Sequence, residues 1–149
     1  MAITQALPNS FKKQLLDGDQ DFSLAGASPT AGDKFKLALY VSTATLGAAT
    51  TSYTSSGEVS SAGTNYTATG KALVNSGTSV VSTTAFTSFA DLSFQNVTLT
   101  ARGCLIYNTS FSNAAVAVLN FTTDKTATSG TFTIQFPAFT NTSAIIRIA

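Results

Sequence analysis

Apolar side chains recur at every second position through much of this chain. In Lys34-Phe35-Lys36-Leu37-Ala38-Leu39-Tyr40, the side chains of Phe35, Leu37 and Leu39 fall on one face, which is the period of a half-buried strand. The alternation returns in Leu92/Phe94, Val97/Leu99, Ala115/Ala117/Leu119/Phe121 and Phe132/Ile134/Phe136, with turn-rich breaks at 108–113 and 123–130. The pattern predicts further strands over 71–74, 79–86, 90–99, 103–107, 114–121, 131–136 and 144–148, with a hairpin turn at 123–130. About eight short strands with turn signals roughly every ten residues predict an all-β fold, an antiparallel β-sandwich or jelly roll.

Ahead of the strands the period changes. Asn9 or Ser10 can cap a short helix on which Phe11, Leu15 and Leu16 are expected on one face, and Gly18 supplies its stop. So short a helix is stable only when docked, either on its own sandwich or on a neighbouring subunit. The stretch 22–32, FSLAGASPTAG, reads as a loop or arm. The expected organisation is therefore an N-terminal arm with a short helix over 1–32 and a single β-sandwich domain over 33–149. Within the latter, 42–70 is dominated by Thr, Ser, Ala and Gly and is expected to be a long excursion with little strand.

Composition sharpens this. There are 25 threonines and 18 serines, and only 10% of residues are charged, for a net charge of +1. Threonine tolerates the solvent face of a pleated sheet, so the strands are expected to show an uncharged, hydroxyl-rich outer side suited to contact with other subunits. Nucleic-acid binding is not expected, because gripping a phosphate backbone takes clustered Lys and Arg. No apolar run approaches the ~20 residues of a membrane-spanning helix. The opening MAITQALPNSFKK lacks the features of a secretory signal, so synthesis and folding in a cytoplasm are expected.

The chemistry available is narrow. There is no histidine, which removes the commonest general base and the triads built on it. Asp17-Gly18-Asp19-Gln20-Asp21 opens like an EF-hand loop, but Phe22 stands where Gly is required and Ser28 where the bidentate Glu belongs, so a solvated turn after the helix is expected. No nucleotide-binding glycine loop occurs, and neither cofactor nor metal site is expected. The single Cys104 lies in an apolar run and reads as a buried small hydrophobe. Five N-x-[ST] triplets, at Asn65, Asn96, Asn108, Asn120 and Asn141, read as strand and turn chemistry. An enzyme is not expected. The candidate partner-contact residues are Phe11, Lys12, Lys13, Leu15 and Leu16 on the helix, the two lysines being suited to an acidic patch.

Several segments carry a likeness. Met1-Ala2-Ile3-Thr4, Ser10-Phe11-Lys12, Phe35-Lys36-Leu37-Ala38-Leu39-Tyr40, Ser42-Thr43-Ala44-Thr45-Leu46, Gly57-Glu58-Val59-Ser60 and Gly63-Thr64-Asn65-Tyr66-Thr67 resemble a family of small virion structural proteins of tailed bacteriophages. The resemblance extends through Ala101-Arg102-Gly103-Cys104-Leu105-Ile106-Tyr107-Asn108, Ala115-Val116-Ala117-Val118-Leu119, Asp124-Lys125 and Ala144-Ile145-Ile146-Arg147-Ile148, with Cys104 where the family is expected to have another small residue. It implies a component of the phage particle. Within that class, size and composition favour a capsid decoration (cement) protein on the capsid surface, contacting the major capsid protein as a homo-oligomer, by analogy a trimer. The alternatives are a tail, baseplate or fibre-adaptor subunit, or a carbohydrate-binding β-sandwich module. Its candidates for stacking on host glycans are Tyr53, Tyr66, Tyr40 and Tyr107, of which Tyr40 and Tyr107 lie in predicted strands and are expected instead in the core or an interface.

Overall fold

The computed structural model describes residues 2–24 and 32–149; the rest of the expected 22–32 loop, 25–31, lies outside the described residues. The elements are helix α1 (Asn9–Asp17) and strands β1 (Phe35–Tyr40), β2 (Lys71–Ala72), β3 (Asn75–Val81), β4 (Thr84–Phe89), β5 (Leu92–Asn108), β6 (Ala114–Ile134) and β7 (Ile146–Ile148). Two antiparallel sheets, ordered β2-β1-β5-β6 and β3-β4-β7, pack together as a sandwich.

Phenylalanines join the layers. The ring of Phe35 on β1 lies 5.5 Å from that of Phe89 on β4, and Phe22 stacks on Phe35 at 4.7 Å while meeting Phe11 of α1 edge-on at 6.0 Å. Offset and edge-to-face contacts of this kind add about 0.5–1.5 kcal/mol per pair beyond burial. The centre of the larger sheet is covered on both faces. Phe35, Leu37, Leu39, Cys104 and Ile106 face the inter-sheet core, whereas Ala38, Tyr40, Leu105, Tyr107 and Val118 face a second apolar cluster closed by Ile3, Ala44 and Leu46. The 42–70 excursion supplies most of that cover, and it contains no strand, only bridge residues at Leu46, Ser52 and Glu58.

Four local expectations are corrected. The N-cap of α1 is Pro8, with no side-chain cap bond, and the Ser10 hydroxyl is buried without a partner; Gly18 does end the helix, in the left-handed conformation at φ 80°. The expected strand over 79–86 is two strands, because Ser82 takes φ 55° and turns β3 into β4 with only Ser82 and Thr83 between them. A two-residue hairpin needs such positive φ values, usually advertised by Gly or Asn, and serine gives no such signal.

The breaks at 100–102 and 123–130 are absent. The hairpin expected at 123–130 is continuous strand, with Lys125, Thr126 and Ala127 of β6 paired to Ala101, Thr100 and Leu99 of β5. A run of Thr and Ser with one Gly reads as a turn, but β-branched hydroxyl side chains also suit a strand with one wet face. The pattern was further scrambled by bulges, with register shifts between Phe94 and Val97, Val97 and Leu99, Ala101 and Gly103, and Ile106 and Tyr107 on β5. Asn96, Thr122 and Ser129 sit at positive φ at or beside three of these irregularities.

Candidate functional site

The one glutamate of the chain lies among all four tyrosines. Glu58 bridges to Tyr40 on β1 and is held at the centre of the excursion. Its Oε1 accepts from the Tyr66 hydroxyl at 2.8 Å and from the Thr69 main-chain N–H at 2.7 Å, while Oε2 accepts from the Tyr53 hydroxyl at 2.6 Å. The Tyr66 hydroxyl in turn accepts from the Leu39 N–H at 3.0 Å. Tyr40 donates to the Thr54 carbonyl at 2.5 Å and Tyr107 to the Thr69 carbonyl at 2.6 Å, and Lys36 Nζ reaches Thr69 Oγ1 at 2.8 Å.

Every phenol here is pushed above its ordinary pKa. Burial is the first cause for Tyr40 and Tyr66, with the Glu58 charge adding to it; for Tyr53 burial is followed by its bond to Glu58, and for Tyr107 burial again leads. A carboxylate that already accepts three bonds, ringed by phenols that hold their protons, is a latch that fastens the excursion to β1 and β5. The glycan-stacking role expected of these rings meets a geometric obstacle. Tyr66 is 2% exposed and lies against Phe94 at 5.6 Å, Tyr40 and Tyr107 are buried, and half-buried Tyr53 packs on Tyr107 at 4.9 Å. The four tyrosines are scattered along the chain, and the lone Glu58 between Tyr53 and Tyr66 is the one local sign that they converge.

A second polar node lies at the C-terminal end of β5, one residue beyond Tyr107. Asn108, fully buried, donates through Nδ2 to Gln20 Oε1 at 2.8 Å and to Asp33 Oδ2 at 2.6 Å, and its Oδ1 accepts from the N–H groups of Ser110 and Phe111. Asp33 Oδ2 also accepts from the Asp21 N–H at 2.9 Å. Asp21 Oδ1 likewise accepts from the Ser23 N–H at 2.8 Å, and among the described residues no group of three metal-ligating side chains assembles.

The helix residues separate. Phe11 is fully buried in the protein's own core, and Leu15 is half-buried beside Phe22 in a shallow apolar groove that Ala85, Ile146 and Ile148 continue. Lys12 is exposed, Lys13 is exposed and paired with Asp17 one turn on, and that pairing raises the Lys13 pKa. Leu16 is 91% exposed, which corrects the expectation that it shares a face with Phe11. Four residues separate Phe11 from Leu15, close to a full turn, whereas the fifth swings Leu16 about 140° away from Phe11.

Two outer surfaces remain, the first not foreseen and the second the hydroxyl-rich side expected of the strands. Val80, Ala85 and Ile148 are in register across β3, β4 and β7, and Val80 and Ile148 are exposed. On the outer side of β5 and β6, hydroxyls pair across the strands, Thr100 with Thr126 and Ser93 with Thr133, both at 2.9 Å, and Arg102 and Asp124 form an ion pair at 2.7 Å. No helix among the described residues is long and apolar enough to cross a membrane. No family model, no curated protein and no solved structure matches the chain.

Proposed function

We propose that this protein is a structural component of a tailed-phage particle, a capsid decoration protein that stabilises the assembled head by docking on the major capsid protein. The observation that carries the reading is the outer side of the β5–β6 ribbon, where exposed Gln95, Thr98, Thr100, Thr126, Thr128 and Thr131 form a hydroxyl-rich face whose charges, Arg102 and Asp124, are gathered at one end and paired. Such a face desolvates more readily than one covered in charged groups and offers both donors and acceptors. The resemblance to small virion proteins, stated above from the sequence, supports the same class. The protein is made in the host cytoplasm and acts on the capsid surface, as a homo-oligomer proposed to be a trimer.

The mechanism is thermodynamic. A protein that binds the assembled shell and not its free subunits favours the shell by mass action, and many copies sum small gains. Gel densitometry of purified particles tests the assignment: decoration requires copies in the hundreds, while a handful would place the protein in the tail. Binding to stripped heads is expected to persist as salt is raised from low to moderate, because the proposed contact is not built on ion pairs. A steep fall in affinity over that range would remove this mechanism.

A further inference from the structure

Strand β6 is an edge of the larger sheet, and its two halves are treated differently. Near its start the outer side is sealed: the Ala115 N–H donates to the Thr51 carbonyl, and Val118 exchanges two main-chain bonds with Ala6. Further on, the side of 130–134 away from β5 makes no main-chain bond to any other described segment. Natural sheets blunt such an edge with lysine, proline or bulges. Here the last register shift, between Phe94 and Val97 of β5, lies opposite Thr131, and β6 runs regularly from Phe132 to Ile134. Gly130-Thr131-Phe132-Thr133-Ile134-Gln135 carries no charge and no proline. Beside it runs an open groove lined by Phe121, Lys125, Thr126 and residues 131–135.

We infer that this edge pairs with the same edge of a second copy of the chain, antiparallel about a two-fold axis at Thr133. The register identifies the occupant. With Thr133 facing its own counterpart, Phe132 lies across from Ile134 of the second copy and Ile134 across from Phe132, so apolar residues continue the inner face and threonines the outer. Aromatic with β-branched and threonine with threonine are the favoured cross-strand pairs. Lys125, the nearest charge on β6 itself, is too far along the strand to meet its own copy, and Asp91, whose carboxylate accepts from the Phe136 N–H, lies at the end of the paired stretch and away from the axis. An isologous contact satisfies both edges at once, with no foreign extended segment required. The contact stands on β6 alone and not on the virion reading, and being two-fold it is additional to the threefold grouping proposed above. Five residues a side is far below the 20–30 of a stable interface, so the pairing is weak in solution and strengthens where copies are held side by side.

Position 133 meeting itself gives a stringent test. Thr133 is exposed, so Thr133→Lys and Thr133→Asp are expected to fold. Sedimentation velocity over a wide concentration range is expected to show wild-type self-association, about tenfold weakening in each variant alone, and recovery when the two variants are mixed in equal amounts. Opposite strands place paired Cα atoms about 4.5–5.5 Å apart, within disulfide range, so oxidised Thr133→Cys is expected to run as a dimer while Thr98→Cys does not. Wild type that stays free of a two-fold step at all concentrations, variants that associate as wild type does, or a mixture that fails to recover would each overturn the inference.

Discussion

Replacing Glu58 with alanine leaves three donors facing a void: the hydroxyls of Tyr53 and Tyr66 and the N–H of Thr69. A hydrogen bond to a charged group is worth about 1.5–3 kcal/mol net, and a buried donor left without an acceptor costs its desolvation. Tyr66 is buried, so its bond counts in full, and half-buried Thr69 retains most of its share; half-buried Tyr53 can turn to water and is discounted. The sum is about 3–5 kcal/mol. For a chain of this length that lowers the melting temperature by roughly 8–16 °C.

Glu58→Gln separates charge from shape. Its carbonyl oxygen still accepts from Tyr66 and Thr69, and its amide meets Tyr53, whose hydroxyl can rotate to accept, so the loss is expected near 1–2 kcal/mol. Urea unfolding followed by circular dichroism measures both. A loss under about 1 kcal/mol for Glu58→Ala, or Glu58→Gln as damaging as Glu58→Ala, would refute the latch.

Other outcomes follow from the same geometry. The raised pKa values of Tyr40, Tyr66 and buried Cys104 mean that the unfolded chain sheds protons first, so stability is full below the ordinary values, near 8.5 for the thiol and 10 for the phenols, and is lost as pH climbs past them. Absorbance at the tyrosinate band should then rise together with loss of circular dichroism, and Cys104 should react with a thiol reagent only on unfolding; free titration of all four phenols in folded protein would contradict this. Gly70 and Gly18 both sit at positive φ, but a Cβ at Gly70 would lie 1.9 Å from the Leu37 carbonyl oxygen while one at Gly18 meets nothing within 4 Å. Gly70→Ala should therefore cost on the order of 3 kcal/mol or more and Gly18→Ala about 1 in chemical denaturation. Phe11→Ala should cost about 3–5 kcal/mol and Leu16→Ser stay within about 0.5, and equal losses would mean that α1 docks by another face.

What the sequence revealed depended on how many residues carried each feature. The sandwich class was written in many alternating positions, and the strand at Phe35–Tyr40 was legible because three large side chains share its inner face. Gly18 as a helix stop was legible for a steric reason that holds anywhere. The turn at Ser82 and Thr83 was not, because a serine at φ 55° is imposed by the two strands closing on it. The lengths of β5 and β6 were hidden by bulges, each of which shifts the inward set by one and makes one long strand read as two short ones. The latch at Glu58 was missed because its members come from three separate segments, and only the fold brings Tyr40 and Tyr107 to the excursion.

That convergence explains how a strandless excursion can cover half a sheet. A segment outside the ladders satisfies its main chain only in part through scattered backbone bonds, such as that from the Val59 N–H to the Leu39 carbonyl, so the remaining buried carbonyls and N–H groups need side-chain partners. The tyrosines fill that need with long, stiff side chains carrying a hydroxyl at the tip. Thr69 shows the arrangement most clearly: it is β-branched yet held at φ 73°, with its N–H on Glu58, its carbonyl on Tyr107 and its hydroxyl on Lys36. A strained turn fixed from several sides should behave as one unit. Once Glu58→Ala has released the Thr69 N–H, removing the Tyr107 hydroxyl should cost less than it does in the intact protein. A double-mutant cycle with Tyr107→Phe is expected to show coupling of about 0.5 kcal/mol or more. Strict additivity would mean that the two bonds hold the turn independently, and that the excursion is kept in place by the burial of its own Ala44, Leu46 and Val59 against the sheet alone.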